Sequence, residues 1–299
     1  MTLCLDIQLK VREVGVTANN LAERVAIITG ASGGFGRVLV RAFLEAGAKV
    51  AALDVSEPGL AQLRAEAPRG GGERLRTHVA DIADYAACER AVTEAMRELG
   101  GPHILINNAA LGMGAVREDH FKQPVDITEI TPAMWQRFVA VNFSGAWNMT
   151  RAVIEPMRAQ RWGRIIDVTT SFFTMLRGGF QPYGPAKAGL EAMAAAHAQE
   201  FAGSGVTVNV VVPGGPADTP MVPANAPFKR EELIAAGVMA PPILFLCSDI
   251  ADAITGNRYI ASHWDTKLPP EQAEQRCRAP IAWPQLAQNP VWPGGKPLK

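Results

Sequence analysis

The chain has 299 residues, and its 29 lysines and arginines balance 29 aspartates and glutamates, so the formal net charge is zero. No overall basic excess exists to draw in nucleic acid or an acidic membrane surface, which argues against a general polyanion binder. With 48% hydrophobic and 19% charged residues, the composition supplies apolar material for a large core and excludes disorder over most of the length.

Residues 1–22 show no clear periodicity and are expected to form an N-terminal extension. Asp6, Lys10, Arg12 and Glu13 interrupt every apolar run there, so no export signal is expected. No stretch approaches the roughly 18 apolar residues of a membrane span. Cys4, Cys88, Cys247 and Cys277 are too scattered for a disulfide framework or a metal site, and the cytoplasm is the expected location.

From Arg24 to Val55 the chain predicts a buried strand (25–28), a glycine-rich turn, a helix (38–46) stopped by Gly47, and a second strand (49–53). A helix over 58–67, a strand over 76–79, a helix over 85–99 and a strand over 103–106 follow. This alternation predicts an α/β doubly wound (Rossmann) three-layer sandwich with about seven parallel strands. Thr131 and Pro132 read as the cap and first residue of a long helix reaching 159, which Gly145 and Pro156 are expected to bend. A strand (164–168), a mobile segment (171–182), an alanine-rich helix (183–202) and a β-branched strand (206–212) complete a catalytic domain spanning 23–265. The tail, 266–299, carries prolines at 269, 270, 280, 284, 290, 293 and 297 with Trp283 and Trp292, and is predicted to be neither helix nor strand. Its tryptophans are expected to pack on this subunit or a neighbouring one.

Thr29-Gly30-Ala31-Ser32-Gly33-Gly34-Phe35-Gly36 lies between the first strand and first helix, where glycines let backbone N–H groups approach a pyrophosphate. Alone, such a turn also serves as a tight connection without a ligand. Asp54, eighteen residues beyond Gly36, stands where a carboxylate accepts from an adenosine ribose and repels a 2′-phosphate, which favours NAD over NADP. Arg37, just inside the helix, reads as a solvated residue.

Tyr183 and Lys187 are one helical turn apart and share a face. A phenol titrates near 10, and bringing it about three units down to working pH takes roughly 4 kcal/mol. A cation about 4 Å away at an effective dielectric near 20 supplies that order of energy. On spacing alone, a surface pair is an equal reading.

Taken together, Thr29-Gly30-x-x-x-Gly34-x-Gly36, Asp81, Asn107-Asn108-Ala109, Asn142, Tyr183-x-x-x-Lys187 and Pro213-Gly214 follow one another in an order that resembles the classical short-chain dehydrogenase/reductase family over roughly residues 22–261. The resemblance implies that Tyr183 is the general acid/base, and that Lys187 lowers its pKa and holds a nicotinamide ribose. Asn142, at a helix irregularity, would hold a water linking Lys187 to solvent. The resemblance places Gly30, Ser32, Gly34, Phe35 and Gly36 at the pyrophosphate, Asp81 and Ile82 at the adenine, Asn108 and Ala109 along the cofactor, and Pro213 and Gly214 beside the nicotinamide. Three departures stand out. Thr170 occupies the position of the family's carbonyl-polarising serine, with Ser171 next to it expected to point away; Ala110 replaces a glycine; and the loop from Pro213 to Met221 is one residue longer, which leaves Thr219 or a displaced residue to touch the carboxamide.

The expected activity is therefore NAD(H)-dependent interconversion of a secondary alcohol and a ketone, with no metal implied. The alternative is a dinucleotide-binding sensor or scaffold without turnover. Met113, Phe172, Phe173, Met175, Phe180, the 215–230 loop and the tail are the expected substrate-facing positions. The resemblance also implies a homodimer or homotetramer built on helices 131–159 and 183–202.

Overall fold

The computed structural model describes residues 21–68 and 70–286. The N-terminal extension as far as residue 20, with Cys4, and the tail beyond 286, with Trp292 and prolines 290, 293 and 297, lie outside the described residues. Strand β1 (Val25–Thr29) is buried at every position, as a central strand covered on both faces must be. It pairs in parallel with β2 (Lys49–Asp54) and with β4 (Ile104–Asn107). Strand β3 (Leu75–Val79) lies outside β2, while β5 (Gly163–Val168), β6 (Val206–Val212) and β7 (Asn257–Ile260) extend the sheet beyond β4, all in parallel. The chain thus builds outward from β1 to β3 and then returns to lay β4 on the other side of β1. That reversal opens a crevice above the C-terminal ends of β1 and β4, where doubly wound sheets bind ligands.

Adjacent residues of each strand face opposite layers. Ile28, Ile106 and Val211 pack with α1 (Gly34–Glu45) and α8 (Ala240–Leu246) through Leu39, Phe43 and Phe245. On the other face, Ile27, Leu105 and Val208 meet Val92 of α3 (Tyr85–Leu99), Met149 and Val153 of α5 (Gly145–Ala159), and Ala194 of α7 (Tyr183–Glu200). Helix α2 (Glu57–Ala65) begins at Ser56, whose hydroxyl accepts from the Gly59 N–H.

The long helix expected from residue 131 starts as predicted: the Thr131 hydroxyl accepts from the Met134 N–H at 3.1 Å ahead of α4 (Pro132–Val139). Its irregularity lies elsewhere than at the expected bends. A π turn, Ala140–Ser144, joins α4 to α5, while Gly145 and Pro156 both lie within α5.

The tail departs most from expectation. Residues Pro270–Cys277 form a helix, α9, and Arg278–Pro280 form β8, an eighth strand running antiparallel to β7. The prolines occupy the positions where a ring is tolerated: Pro270 opens the helix, and Pro280 ends a strand at the sheet edge. The Tyr259 hydroxyl of β7 donates to Glu274 of α9 at 2.6 Å, both being buried, and Ile281 enters the core. Trp283 packs on this same chain, its ring 5.4 Å from that of Phe172. Among the described residues no helix is long and apolar enough to cross a membrane.

Candidate active site

Three glycines of the turn, Gly30, Gly34 and Gly36, have no room for a side chain. Gly30 adopts φ +63°, and a Cβ there would sit 2.7 Å from the Ala109 Cα. A Cβ on Gly36 would overlap the Gly30 carbonyl oxygen, so the start of α1 stays pressed against the turn. The turn is held from two sides. Asp54, at the end of β2, accepts the Ser32 N–H on one carboxylate oxygen at 2.9 Å and the Ser56 N–H on the other at 3.0 Å. Thr29 receives the Asn108 and Ala109 N–H groups on its hydroxyl at 3.0 and 3.1 Å, and the Asn108 side-chain amide donates to the carbonyls of Thr29 and Gly30. Arg37 is not the solvated side chain expected: it donates to the Ser32 carbonyl at 2.8 Å and pairs with Glu66 at 2.6 Å.

Asp81 and Ile82 follow β3 at the crevice rim. Asp81 accepts the Ala83 N–H and pairs with Arg137 at 2.9 Å. The Ile82 side chain is turned inward against Gly145, and its carbonyl accepts from Asn148 at 2.8 Å. On the opposite rim, Gly214 has φ +107° and the Pro213 carbonyl accepts the Ser262 N–H at 3.1 Å. The lengthened loop beyond them is pinned by Arg230, which reaches Asp218 at 3.1 Å and the Val222 carbonyl at 2.7 Å. That loop lays Thr219 directly over Gly34.

Strand β5 delivers Thr169 and Thr170 to the same crevice, and α7 presents Tyr183 and Lys187 opposite them. Ser171 is occupied otherwise: its hydroxyl caps the short helix α6 (Phe172–Leu176) by accepting the Thr174 N–H at 3.1 Å. Thr170 is the residue whose hydroxyl acts on the Tyr183 phenol. Burial pushes that phenol up to about 12, and the Thr170 hydrogen bond works in the opposite direction. The Lys187 ammonium, only 2% exposed, donates to the Val168 carbonyl at 2.7 Å. Burial brings it down to about 8, against the pull of the Asp167 carboxylate. The ammonium thus bends toward the end of β5, one turn of helix from the phenol.

Asn142 lies in the π turn as expected, fully enclosed, but its side chain is committed. Its amide donates to the Leu111 carbonyl at 2.9 Å and its oxygen accepts the Leu111 N–H at 2.7 Å. This double bond to one backbone unit clamps the π turn to the segment after β4.

With the crevice, the glycine turn and the Thr170–Tyr183 contact in place, comparison with known proteins decides the family. The short chain dehydrogenase family profile matches residues 24–229. The chain belongs to the short-chain dehydrogenase/reductase family. A 3-oxoacyl-(acyl-carrier-protein) reductase of Escherichia coli is 32% identical over 246 residues, covering 79% of this chain and 95% of its own. An acetoacetyl-CoA reductase of Paracoccus denitrificans is 31% identical over 253 residues, covering 80% and 96%. A crystal structure of a short-chain dehydrogenase/reductase from Burkholderia xenovorans shares 29% identity with a TM-score of 0.68, covering 81% of this chain and 96% of its own. The protein is accordingly an oxidoreductase of CH–OH and keto groups that binds a nicotinamide dinucleotide.

In this short-chain dehydrogenase/reductase the expected substrate-facing residues divide into two sets. Met113 and Phe180 form a buried cluster with Val125, against which Tyr183 and Phe121 pack. Phe172 lies instead between Arg258 and Trp283, Met175 is buried, and Phe173 is 71% exposed. The segment between β4 and α4 supplies Phe121 and His120, whose rings lie 4.3 Å apart, and Phe121 also meets Phe228 of the opposing loop at 5.2 Å. Sequence reasoning passed over these residues, since no periodicity marks a loop. It also missed Asp167, although an acid inside the buried run Arg-Ile-Ile-Asp-Val is itself a signal. Asp167 has no exposure, accepts from Asn107 at 2.8 Å, and is pushed up to about 6 by burial. Among the described residues no group of three or more His, Cys, Asp or Glu is arranged to hold a metal ion.

Proposed function

We propose that the protein interconverts a secondary alcohol and a ketone with NAD(H), using Tyr183 as the acid/base. The observation that carries this reading is Tyr183 and Lys187 one turn apart at the start of α7, with Lys187 donating to the end of β5 just before Thr170, beside the dinucleotide crevice. The crevice suits such a cofactor: its glycines leave no space for a Cβ, and each Asp54 oxygen retains a lone pair beyond the backbone N–H it accepts. A bound nicotinamide dinucleotide supplies the hydride acceptor or donor. Asp54 faces the site of a 2′-phosphate with a negative charge, and Arg37, the basic residue at hand, is already neutralised by Glu66. Both features favour NAD over NADP.

During oxidation Tyr183, in its phenolate form, would take the hydroxyl proton, and Thr170 would donate to the oxygen as its charge develops; in reduction the neutral phenol would give that proton back. Lys187 holds the ribose side of the site. Asn142 contributes by fixing the π turn, since its amide is spent on Leu111. The apolar cluster of Met113, Val125, Phe180 and Phe121 beside Tyr183 suits an apolar substrate. We also propose a cytoplasmic homo-oligomer built on α4–α5 and α7, because Trp135 and Trp147 remain 40% and 47% exposed there.

A screen of secondary alcohols and ketones with NAD(H), followed by absorbance, tests the reading. Tyr183→Phe is expected to lower kcat by about 10²-fold or more while NADH still binds. Retained turnover in that variant would refute the assigned mechanism, and NADH binding by the native protein without turnover of any alcohol would favour a sensor. Asp54→Ala is expected to narrow the gap between the Michaelis constants for NAD and NADP. Equal constants in the native protein would overturn the cofactor assignment.

A further inference from the structure

Arg258 of β7 and Glu191 of α7 form an ion pair at 2.8 Å, with side chains 5% and 0% exposed. The oxygen of Glu191 that meets Arg258 also accepts the Thr169 hydroxyl at 2.7 Å, and its other oxygen accepts the Ala282 N–H of the tail at 3.3 Å. The second amino group of Arg258 donates to the Thr170 carbonyl at 2.9 Å. Its guanidinium lies 4.2 Å from the centre of the Phe172 ring, which Trp283 flanks in turn. One buried cation therefore grips the residue before Thr170, the backbone of Thr170 and the ring two residues after it. A buried pair of this kind costs desolvation and is a weak source of net stability, whereas the flat fork of an arginine fixes directions well. Arg258 and the tail both lie beyond the span of the family profile, which ends at 229.

We propose that Arg258, paired with Glu191, which Ala282 of the tail also meets, and lying over Phe172, which Trp283 flanks, is a positioning residue that sets the Thr170 hydroxyl against the Tyr183 phenol. It rests on the placement of Thr170 and Tyr183 at the reacting centre. Arg258 acts through Thr170 and is not itself a catalytic residue. The described part of the tail thereby reaches the site through Glu191 and Phe172.

The test uses the full chain with its three tyrosines isotopically labelled at Cζ and followed by NMR, Tyr183→Phe assigning the signal of interest. Thr170→Val, which removes the hydroxyl, shifts the Tyr183 resonance. Arg258→Gln is expected to shift it in the same direction in the native background and to leave it unmoved in the Thr170→Val background. Trp283→Ala is expected to give a smaller shift of the same kind. An unmoved resonance in Arg258→Gln, or an equal shift in both backgrounds, overturns the proposal, because general loosening does not need Thr170. Should Arg258→Gln fail to fold, Arg258→Lys carries the same comparison: it keeps the charge facing Glu191 but loses the fork that reaches the Thr170 carbonyl. With a substrate in hand, kcat of Arg258→Lys is expected to fall about tenfold at unchanged KM for NAD. A fully active Tyr183→Phe, with the coupling present in the proteins that keep Tyr183, would refute the functional reading alone. An inactive Tyr183→Phe, with the coupling absent from the proteins that keep Tyr183, would overturn the proposal alone.

Discussion

Thr170 differs from a serine by one methyl, and that methyl limits its χ1, so its hydroxyl direction is set largely by where its backbone is held. Asp167, three residues earlier, has a similar hidden influence on Lys187. The ammonium is charged below about 8, and the Asp167 carboxylate is what opposes its loss of charge on burial. Ketone reduction that needs charged Lys187 is therefore expected to decline as pH rises through about 8. Asp167→Asn removes the opposing attraction, so the same decline is expected at lower pH in a profile of kcat/KM. A superimposable profile would show that Asp167 does not govern Lys187. Tyr183, Lys187 and Asp54 could be picked out as candidates in the sequence, because they stand near the ends of predicted elements and match the motifs of the family it resembles. Asp167, Glu191 and Arg258 were not, since their partners are brought together only by the fold: Arg258 and Glu191 are 67 positions apart, and Ala282 is 91 from Glu191.

At the scale of elements, the strand and helix alternation from β1 to β6 followed directly from the apolar runs and their glycine stops. The π turn did not follow from the apolar pattern, which hides one extra residue's worth of slack; only the resemblance placed an irregularity at Asn142, and the bonds from Asn142 to Leu111 tie it to the segment after β4. The tail was misread by counting its prolines instead of asking what position each occupies. Helix α9 stays docked on β7 partly through the Tyr259–Glu274 hydrogen bond. Tyr259→Phe leaves the buried Glu274 short of a donor and is expected to cost about 1–3 kcal/mol, measured by urea denaturation. A loss within a few tenths of a kcal/mol would mean that Arg278, 3.6 Å from Glu274, meets the need alone.

For the molecule as a whole, zero net charge coexists with buried local charges, among them Lys187 at the crevice and the Arg258–Glu191 pair behind Thr170. The exposed Trp135 and Trp147 give the whole molecule a second feature to test. Trp147→Glu is expected to lower the mass seen by sedimentation if the α4–α5 face joins subunits, and an unchanged mass would place the interface elsewhere.

The route by which Glu191 is neutralised also orders events during synthesis, when chains fold from the N-terminal side at the pace of the ribosome. A nascent chain that has emerged only as far as β6 holds Glu191 without its guanidinium partner. A chain that ends before residue 282 lacks the N–H that satisfies the second oxygen of Glu191. Strands β1 to β6 can thus pair before Glu191 has either partner. A chain cut before residue 282 is therefore expected to turn over more slowly than the full chain.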